Sequence, residues 1–223
     1  VAWAPDGSAV ASAGGNEVHV WDPKTGKRTH TLAGHKGAVR AVAYGADADT
    51  LVSGGDDKQL IVWDVPGEKP TYSAGDESNR VEAVAVGAGG KLVAAVNASG
   101  ELTVYNPADK KRLLMAPVTQ GNQAGYGVGF VGGTGIAVAG GDKLVKLVAG
   151  PDPSGPTAGA GTTVRTFAGH ADKVTALAVT PDGKLILTGG ADKTVRAWEA
   201  ATGKAGWTFQ GHLAGVAAVA VRA

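Results

Sequence analysis

The feature that most constrains this 223-residue chain is an internal repeat with a period of 42 residues. Trp21, Trp63, Tyr105 and Leu147 follow one another at intervals of 42 residues, and each closes a short apolar run. The next closing aromatic residue, Trp198, comes 51 residues after Leu147, so nine residues are inserted in that copy. Such a repeat is one supersecondary unit, and stacked copies bury a core that no single copy could form alone.

Each copy is predicted to contain four short strands, which we call a, b, c and d in chain order. The apolar runs are β-branched or alternate with polar residues, and turn residues separate them, as is typical of strands joined by tight turns. The 36 glycines suit many such turns. Since no stretch keeps a 3.6-residue period, helices should be nearly absent. The clearest predicted strands a, b and c are Val39–Tyr44, Thr50–Ser53 and Gln59–Trp63 in the second copy, and Val174–Val179, Leu185–Thr188 and Thr194–Trp198 in the fifth.

Two copies carry a recognisable motif at both ends. Residues 34–64 begin with Gly-His and end with Trp-Asp, and residues 169–199 begin with Gly-His and end with Trp-Glu. These motifs, at this period, resemble the WD40 repeat. The resemblance implies an all-β fold, a WD40-type β-propeller of four-stranded antiparallel blades, with about five blades in this chain. The copies are rich in Ala, Gly and Val, and in this they resemble bacterial WD40 arrays.

The repeats imply one β-propeller domain or segment over residues 1–223. Its repeats span approximately residues 1–33, 34–75, 76–117, 118–168 and 169–210, followed by a partial repeat at 211–223. Residues 219–223 occupy the same repeat positions as residues 1–5, so the tail duplicates the head. Propellers have ~4–8 blades, and the WD40 family most often closes with seven. We therefore expect five blades of a seven-bladed ring, and a self-closed five-bladed ring is the alternative.

Composition disfavours several classes of protein. Twenty-one basic residues stand against twenty acidic residues without a basic block, so neither a nucleic-acid partner nor a membrane partner is predicted. The chain has no cysteine, and its five histidines show no paired metal-ligand spacing. We predict no cofactor and no metal. The sequence does not determine a compartment, although the cytoplasm is slightly favoured.

The resemblance also implies a hydrogen-bonded tetrad in each well-formed repeat. It joins the histidine of Gly-His, a Ser or Thr on strand b, an Asp in the b–c turn and the Trp of strand c. A Ser/His/Asp set also suggests a catalytic triad, but a catalytic site needs one cleft, whereas this set occurs twice. We interpret it as structural and predict no catalytic residue. The implied tetrads are His35, Ser53, Asp57 and Trp63, and His170, Thr188, Asp192 and Trp198.

Repeats one, three and four lack members of the tetrad. Glu77 stands where the third repeat would have its histidine, and Leu147 stands where the fourth would have its tryptophan. We expect these blades to be held by the packing of Val, Ala and Leu alone and to be softer than blades two and five.

The resemblance places the usual docking surface of the family on the face where the d–a and b–c loops meet. Its positions lie three and five residues after the histidine and one residue before the tetrad Asp. They carry mixed charges and little aromatic content, so an ordinary solvated surface is an equal alternative. The candidate partner-binding residues are Arg40, Asp56, Arg80, Glu82, Lys173 and Thr175.

The resemblance therefore implies a non-catalytic scaffold that mediates protein–protein interaction through this face, as one module of a larger protein. The expected partner is a protein or peptide. The alternative is a ligand-binding or enzymatic propeller with a site in its central channel, because a fold does not determine a function.

Overall fold

The computed structural model describes residues 1–75, 77–152 and 159–221. These residues form five four-stranded antiparallel sheets, and within each sheet the strands are adjacent in chain order. The only helical turns in the described ranges are two short 3-10 turns, Ala88–Gly90 and Gln120–Asn122. The prediction of an all-β fold with about five four-stranded antiparallel blades is confirmed. The seven-bladed ring stays a prediction.

The twenty strands are numbered in chain order, four to a blade. Blade one contains β1 Ala2–Trp3, β2 Val10–Gly14, β3 Glu17–Trp21 and β4 Arg28–Ala33. Blade two contains β5 Val39–Tyr44, β6 Thr50–Gly55, β7 Leu60–Asp64 and β8 Lys69–Ala74. Blade three contains β9 Val81–Gly87, β10 Leu92–Asn97, β11 Glu101–Asn106 and β12 Lys111–Pro117. Blade four contains β13 Gly125–Val131, β14 Gly135–Gly140, β15 Leu144–Ala149 and β16 Thr163–Ala168. Blade five contains β17 Val174–Val179, β18 Leu185–Gly190, β19 Val195–Glu199 and β20 Ala205–Phe209.

Apolar side chains between neighbouring blades form the core. Four clusters of buried residues join blades one and two, two and three, three and four, and four and five. The first strands of blades two to five contact one another in sequence. They surround a space of about 250 Å³ that we call the central cavity, lined in part by Arg40, Val84, Tyr126 and Thr175.

Glycines allow the inner strands to approach the neighbouring blade closely. A Cβ atom at Gly54 would lie 2.3 Å from Cγ1 of Val81, on the first strand of blade three. A Cβ atom at Gly189 would lie 2.5 Å from Cγ1 of Val216. Both distances are too short for carbon atoms, so only glycine fits these positions without rearrangement.

Residues 211–221 lie against blade five without forming a strand. The Val216 N–H donates to the Gly190 carbonyl at 3.0 Å, as the Val39 N–H donates to the Gly15 carbonyl at 2.7 Å. Val216 is buried, with 7% of its surface exposed. This tail therefore contacts blade five in the way that the first strand of blade two contacts blade one.

The tail covers the face of blade five that points away from blade four near Gly189, and the same face is uncovered at β20. Side chains alternate across a sheet, so Trp207 and Phe209 of β20 share this face. Trp207 is 66% exposed and Phe209 is 52% exposed. Ala74 is the equivalent of Phe209 in blade two, because each pairs with the first residue of the neighbouring strand, β7 or β19. Ala74 is only 5% exposed, because blade three covers it. Blade five thus presents to solvent a face that other blades bury.

Across the described ranges, no helix is long and apolar enough to cross a membrane.

Candidate functional site

A buried hydrogen-bond chain in blade two joins the four residues of the first implied tetrad. The Trp63 indole N–H donates to the Ser53 hydroxyl at 2.8 Å, and that hydroxyl lies 2.7 Å from Nε2 of His35. Nδ1 of His35 lies 2.9 Å from both carboxylate oxygens of Asp57. A neutral imidazole that donates from Nδ1 to Asp57 and accepts at Nε2 from Ser53 satisfies every one of these groups. The backbone N–H of Lys36 also donates to Asp57, at 2.8 Å.

Blade five repeats the same arrangement with threonine in place of serine. Trp198 donates to the Thr188 hydroxyl at 2.9 Å, the hydroxyl lies 2.9 Å from Nε2 of His170, and Nδ1 of His170 lies 2.9 Å from Asp192. Asp192 also accepts the Ala171 backbone N–H at 2.9 Å. The structure therefore brings the members of both implied tetrads together, and each tetrad ties a d–a loop to strands b and c.

Burial and hydrogen bonding shift the pKa values of His170 and Asp192 in the tetrad of blade five. Burial lowers the pKa of His170 and outweighs the opposing effect of Asp192, so the imidazole is held in its neutral form. Burial raises the pKa of Asp192, but hydrogen bonds from Ala171, Thr194 and His170 outweigh burial and lower that pKa to about 2. The pair is therefore a neutral imidazole beside a carboxylate at neutral pH.

The geometry does not suit nucleophilic catalysis. Ser53 and Thr188 have 0% exposed surface, so their oxygens have no contact with solvent. Each hydroxyl also accepts an indole N–H, which occupies a lone pair that a nucleophile would use. A catalytic serine must be open to a substrate on one side.

Blades one, three and four are not held by apolar packing alone, and that expectation was wrong. In blade one the Trp21 indole donates to the Ser12 hydroxyl at 2.8 Å. In blade three the buried Glu77 accepts hydrogen bonds from the Thr103 hydroxyl at 2.6 Å and the Tyr105 hydroxyl at 2.9 Å. Glu77, which stands at the position of the missing histidine, thus links the d–a loop of blade three to strand c.

Blade four uses a buried ion pair. Nζ of Lys146 lies 2.7 Å from Asp142, and their side chains are 10% and 5% exposed. Lys146 also donates to the carbonyl of Val118, in the loop before blade four. Asp142 accepts the Gln120 backbone N–H at 3.0 Å, as Asp57 accepts an N–H from its own d–a loop. The sequence signal for this was an Asp-Lys pair in the b–c turn, which recurs at residues 57–58, 142–143 and 192–193.

The d–a and b–c loops lie at one end of the blades, which we call the loop end. Four of the six candidate partner-binding residues form two ion pairs there. The Arg40 guanidinium pairs with Asp56, with Nη2 at 3.2 Å from Oδ2, and Nε of Arg80 lies 2.6 Å from Glu82. The hydrogen bond with Asp56 is the main cause that raises the pKa of Arg40, and the charge of Glu82 adds to it. The same hydrogen bond is the main cause that lowers the pKa of Asp56, and Arg80 adds to it. The two pairs therefore form one charge network across blades two and three.

The other two candidates lie on blade five. Nζ of Lys173 lies 5.8 Å from the centre of the Tyr126 ring, within the range of a cation–π contact. The Thr175 hydroxyl lies 2.5 Å from the Val216 carbonyl and 3.2 Å from that of Gly189, so it binds the tail. Thr175 thus serves an internal contact, and Lys173 stays exposed at the surface.

Tyr126 is a residue at this surface that the sequence did not indicate. In the pairing of β13 with β14, Tyr126 is the unpaired residue of a bulge between Gly125 and Gly127. In the pairing of β5 with β6, Arg40 is the unpaired residue of a bulge between Val39 and Ala41. Arg40 and Tyr126 are therefore equivalent positions in blades two and four, and both line the central cavity. Tyr126 lies 86 residues after Arg40, two more than two 42-residue periods, so the simple count hid this equivalence.

The cavity offers little for cofactor binding. Beside Arg40, Tyr126 and Thr175, its lining is mainly alanine, glycine and valine. Within the described ranges, no group of three His, Asp or Glu residues lies close enough to hold a metal ion.

Comparisons with known proteins agree with the architecture. The family model "WD domain, G-beta repeat" matches residues 1–22, 26–64 and 161–199. A protein of Danio rerio, "Intraflagellar transport protein 122 homolog", is 43% identical over 61 residues, which is 27% of this chain and 5% of that protein. "Transcriptional repressor rco-1" of Neurospora crassa is 38% identical over 68 residues, 30% of this chain and 11% of that protein. The human "U5 small nuclear ribonucleoprotein 40 kDa protein" is 36% identical over 59 residues, 26% of this chain and 16% of that protein.

The matches therefore span only a small part of each relative. The matched segments include strands of blades one, two and five and the last strand of blade four, β16. Glu77 of blade three and the Lys146–Asp142 pair of blade four, which replace the tetrad there, lie outside the matched segments. The three matched segments show that this chain contains WD40 repeats, and the 42-residue period and the five four-stranded sheets agree with that finding.

Proposed function

We propose that this chain is a non-catalytic scaffold that binds a protein or peptide partner at its loop end, as one module of a larger protein. The observation that carries the proposal is the group formed by Arg40, Tyr126 and Lys173 around the mouth of the central cavity. Arginine and tyrosine are enriched among the residues that dominate binding energy at protein interfaces. The group lies at the usual docking face of the family.

The tetrads support this proposal because they hold the loops in place before a partner arrives. Asp57 and Asp192 each accept a backbone N–H from the d–a loop of their blade. A loop that is already ordered loses little conformational entropy on binding, so more of the contact energy remains as affinity. The same residues that close the blades thus prepare the binding surface.

A protein partner is favoured over nucleic acid by the charge distribution. The chain has a formal net charge of +1, and Arg40 and Arg80 are each paired with a carboxylate of the loop end. A nucleic-acid surface would need a contiguous stripe of cations to replace the counterions of the phosphates, whereas the exposed lysines of the loop end stand singly on separate loops. One relative has "ribonucleoprotein" in its name, and that name describes the relative and not this chain.

The alternative, a ligand-binding or enzymatic site in the central channel, has less support. The central cavity of about 250 Å³ is smaller than the ~300–1,000 Å³ of ordinary small-molecule sites. Its walls are mostly backbone and small apolar side chains.

The test is quantitative affinity capture from cells with the complete protein and two single variants, Tyr126→Ala and Arg40→Ala. We expect both variants to lose at least one partner that the unmodified protein recovers. The matched control is Lys184→Ala, at the opposite end of blade five, where the Lys184 side chain is 79% exposed. A set of partners that is unchanged in both variants, or reduced equally in the control, would contradict the proposal.

A further inference from the structure

Three lysines of the loop end occupy the same backbone position in three blades. Lys58, Lys143 and Lys193 follow the Asp of the b–c turn, and their φ angles are 63°, 67° and 68°. Blade three carries Gly100 at this position, with a φ angle of 75°, whereas blade one has a shorter b–c turn. Positive φ favours glycine, because a Cβ atom crowds the backbone there. The lysines are therefore not the residues that the turn alone would favour.

These lysines are exposed, and Lys36 and Lys173 are exposed beside them on the d–a loops. Among the residues that the structure describes, none of the five ammonium groups forms an ion pair.

Within the part of the chain that the structure describes, most carboxylates of the loop end are directed inwards. The side chains of Asp57, Asp142 and Asp192 are 6%, 5% and 6% exposed, and each bonds to a histidine or lysine and to a backbone N–H. Glu77 is buried against two hydroxyl groups, and Glu101 accepts the Asn97 amide N–H at 2.9 Å.

Two further carboxylates, Asp56 and Glu82, pair with the arginines of the surface. Two others are open to solvent. Asp172 is exposed and caps the backbone N–H of Lys173, and Glu17, 40% exposed, lies 3.8 Å from His19. A ligand that approaches the loop end therefore meets ammonium and guanidinium groups more often than carboxylates.

We propose that the partner segment that docks on the loop end is acidic, an Asp- and Glu-rich peptide. This inference rests on the proposed function and names the class of partner. One carboxylate of the segment would bind Lys173 beside the Tyr126 ring, close to Arg40 at the cavity mouth. Flanking carboxylates would bind Lys58, Lys143 and Lys193 on the surrounding turns. The inward carboxylates cancel much of the electric field of the lysines at long range. The attraction between the lysines and an acidic segment therefore acts at short distance, and salt at ~0.15 M screens it.

The positive φ angles supply a variant that removes charge without harming the fold. Lys58→Gly, Lys143→Gly and Lys193→Gly together place in three blades the residue that blade three already carries, Gly100. Lys110→Gly is the matched control. Lys110 lies in a c–d turn at the opposite end with a φ of 54°, and the corresponding turns of blades one and five carry Gly26 and Gly203.

Fluorescence anisotropy with labelled peptides tests the proposal on the complete protein. The probes are a peptide of alternating Glu and Ser, the same peptide with Gln for Glu, the same with Lys for Glu, and a single-stranded DNA oligomer of equal charge to the first. We expect the Glu peptide alone to bind well at low salt. The triple variant should bind it about tenfold more weakly, or ~1.4 kcal/mol, while the Lys110→Gly control binds it unchanged. Equal melting temperatures would show that all three proteins are folded.

Each outcome decides the matter. No binding of the Glu peptide, equal binding of the Gln peptide, or an unchanged affinity in the triple variant would overturn the acidic class. DNA binding without Glu-peptide binding would overturn it in favour of nucleic acid. If the Gln or Lys peptide binds and Tyr126→Ala abolishes that binding, the loop end remains a docking site and only the acidic class fails. If no peptide binds and Tyr126→Ala leaves affinity capture unchanged, the proposed function fails as well.

Discussion

The hydroxyl of Ser53 should contribute more to stability than any other single oxygen in blade two. It is fully buried and serves two partners at once, His35 at 2.7 Å and Trp63 at 2.8 Å. Ser53→Ala would leave an imidazole nitrogen and an indole N–H buried without a partner. A buried polar group left unsatisfied costs about 1–3 kcal/mol, so the two together should cost about 3 kcal/mol. For a chain of this size that corresponds to a fall in melting temperature of about 6–12 °C.

Blade one provides the matched control for this change. The Ser12 hydroxyl accepts the Trp21 indole N–H at 2.8 Å, but both residues are partly exposed, and water can replace the lost partner. Ser12→Ala should therefore cost only about 1 kcal/mol. Thermal and urea unfolding of the two variants, followed by tryptophan fluorescence, measures the difference. If Ser12→Ala costs as much as Ser53→Ala, the tetrad does not act as a buried network and the reasoning is refuted.

Three other expectations follow from the same structure. Burial lowers the pKa of His170 below its ordinary value of 6.5. The contribution of the neutral imidazole to the free energy of unfolding is therefore fully present above pH ~6.5 and is lost as the pH falls through the lowered pKa. The urea midpoint should decline on acidification, and His170→Gln should flatten that decline. Gly54→Ala should destabilise the whole chain because two packed blades would have to separate, whereas Gly189→Ala should only displace the tail, which hydrogen exchange of residues 211–221 would detect. Phe209→Glu should reduce concentration-dependent self-association in sedimentation experiments without lowering the melting temperature, whereas Ala74→Glu, at the equivalent buried position, should unfold the protein.

The strands and the two complete tetrads could be predicted because their signals are local. Val39–Tyr44 and Val174–Val179 were expected at the residues where the structure has them, since alternation and turn residues mark both ends. The tetrad of blade two could be identified because its residue types recur at fixed distances from the closing tryptophan. These features need no knowledge of what lies across a blade interface.

The polar networks of blades three and four could not be predicted in the same way. Glu77 was seen only as a missing histidine, and its two hydroxyl donors lie 26 and 28 residues further along the chain. Lys146 lies within an apolar strand, where a lysine usually points to solvent, and only the fold places Asp142 and a carbonyl around it. In these blades, different residues form the same link from the d–a loop to strand c. A motif search detects particular residue types, so it misses a link that other residue types form.

The way each blade is closed also determines what its loop end presents to a partner. Because the b–c turn turns its aspartate inward to a histidine or a lysine, the next residue, at positive φ, projects outward. In blades two, four and five that outward residue is a lysine, and in blade three it is a glycine. The residue at this position contributes to the charge of the loop end but takes no part in the hydrogen bonds that close the blade. It can therefore differ from blade to blade without loss of the fold. Under the proposed function, this separation would allow one rigid scaffold to carry different partner specificities, and the specificity of this chain would lie in the turn lysines and the Arg40–Tyr126–Lys173 group.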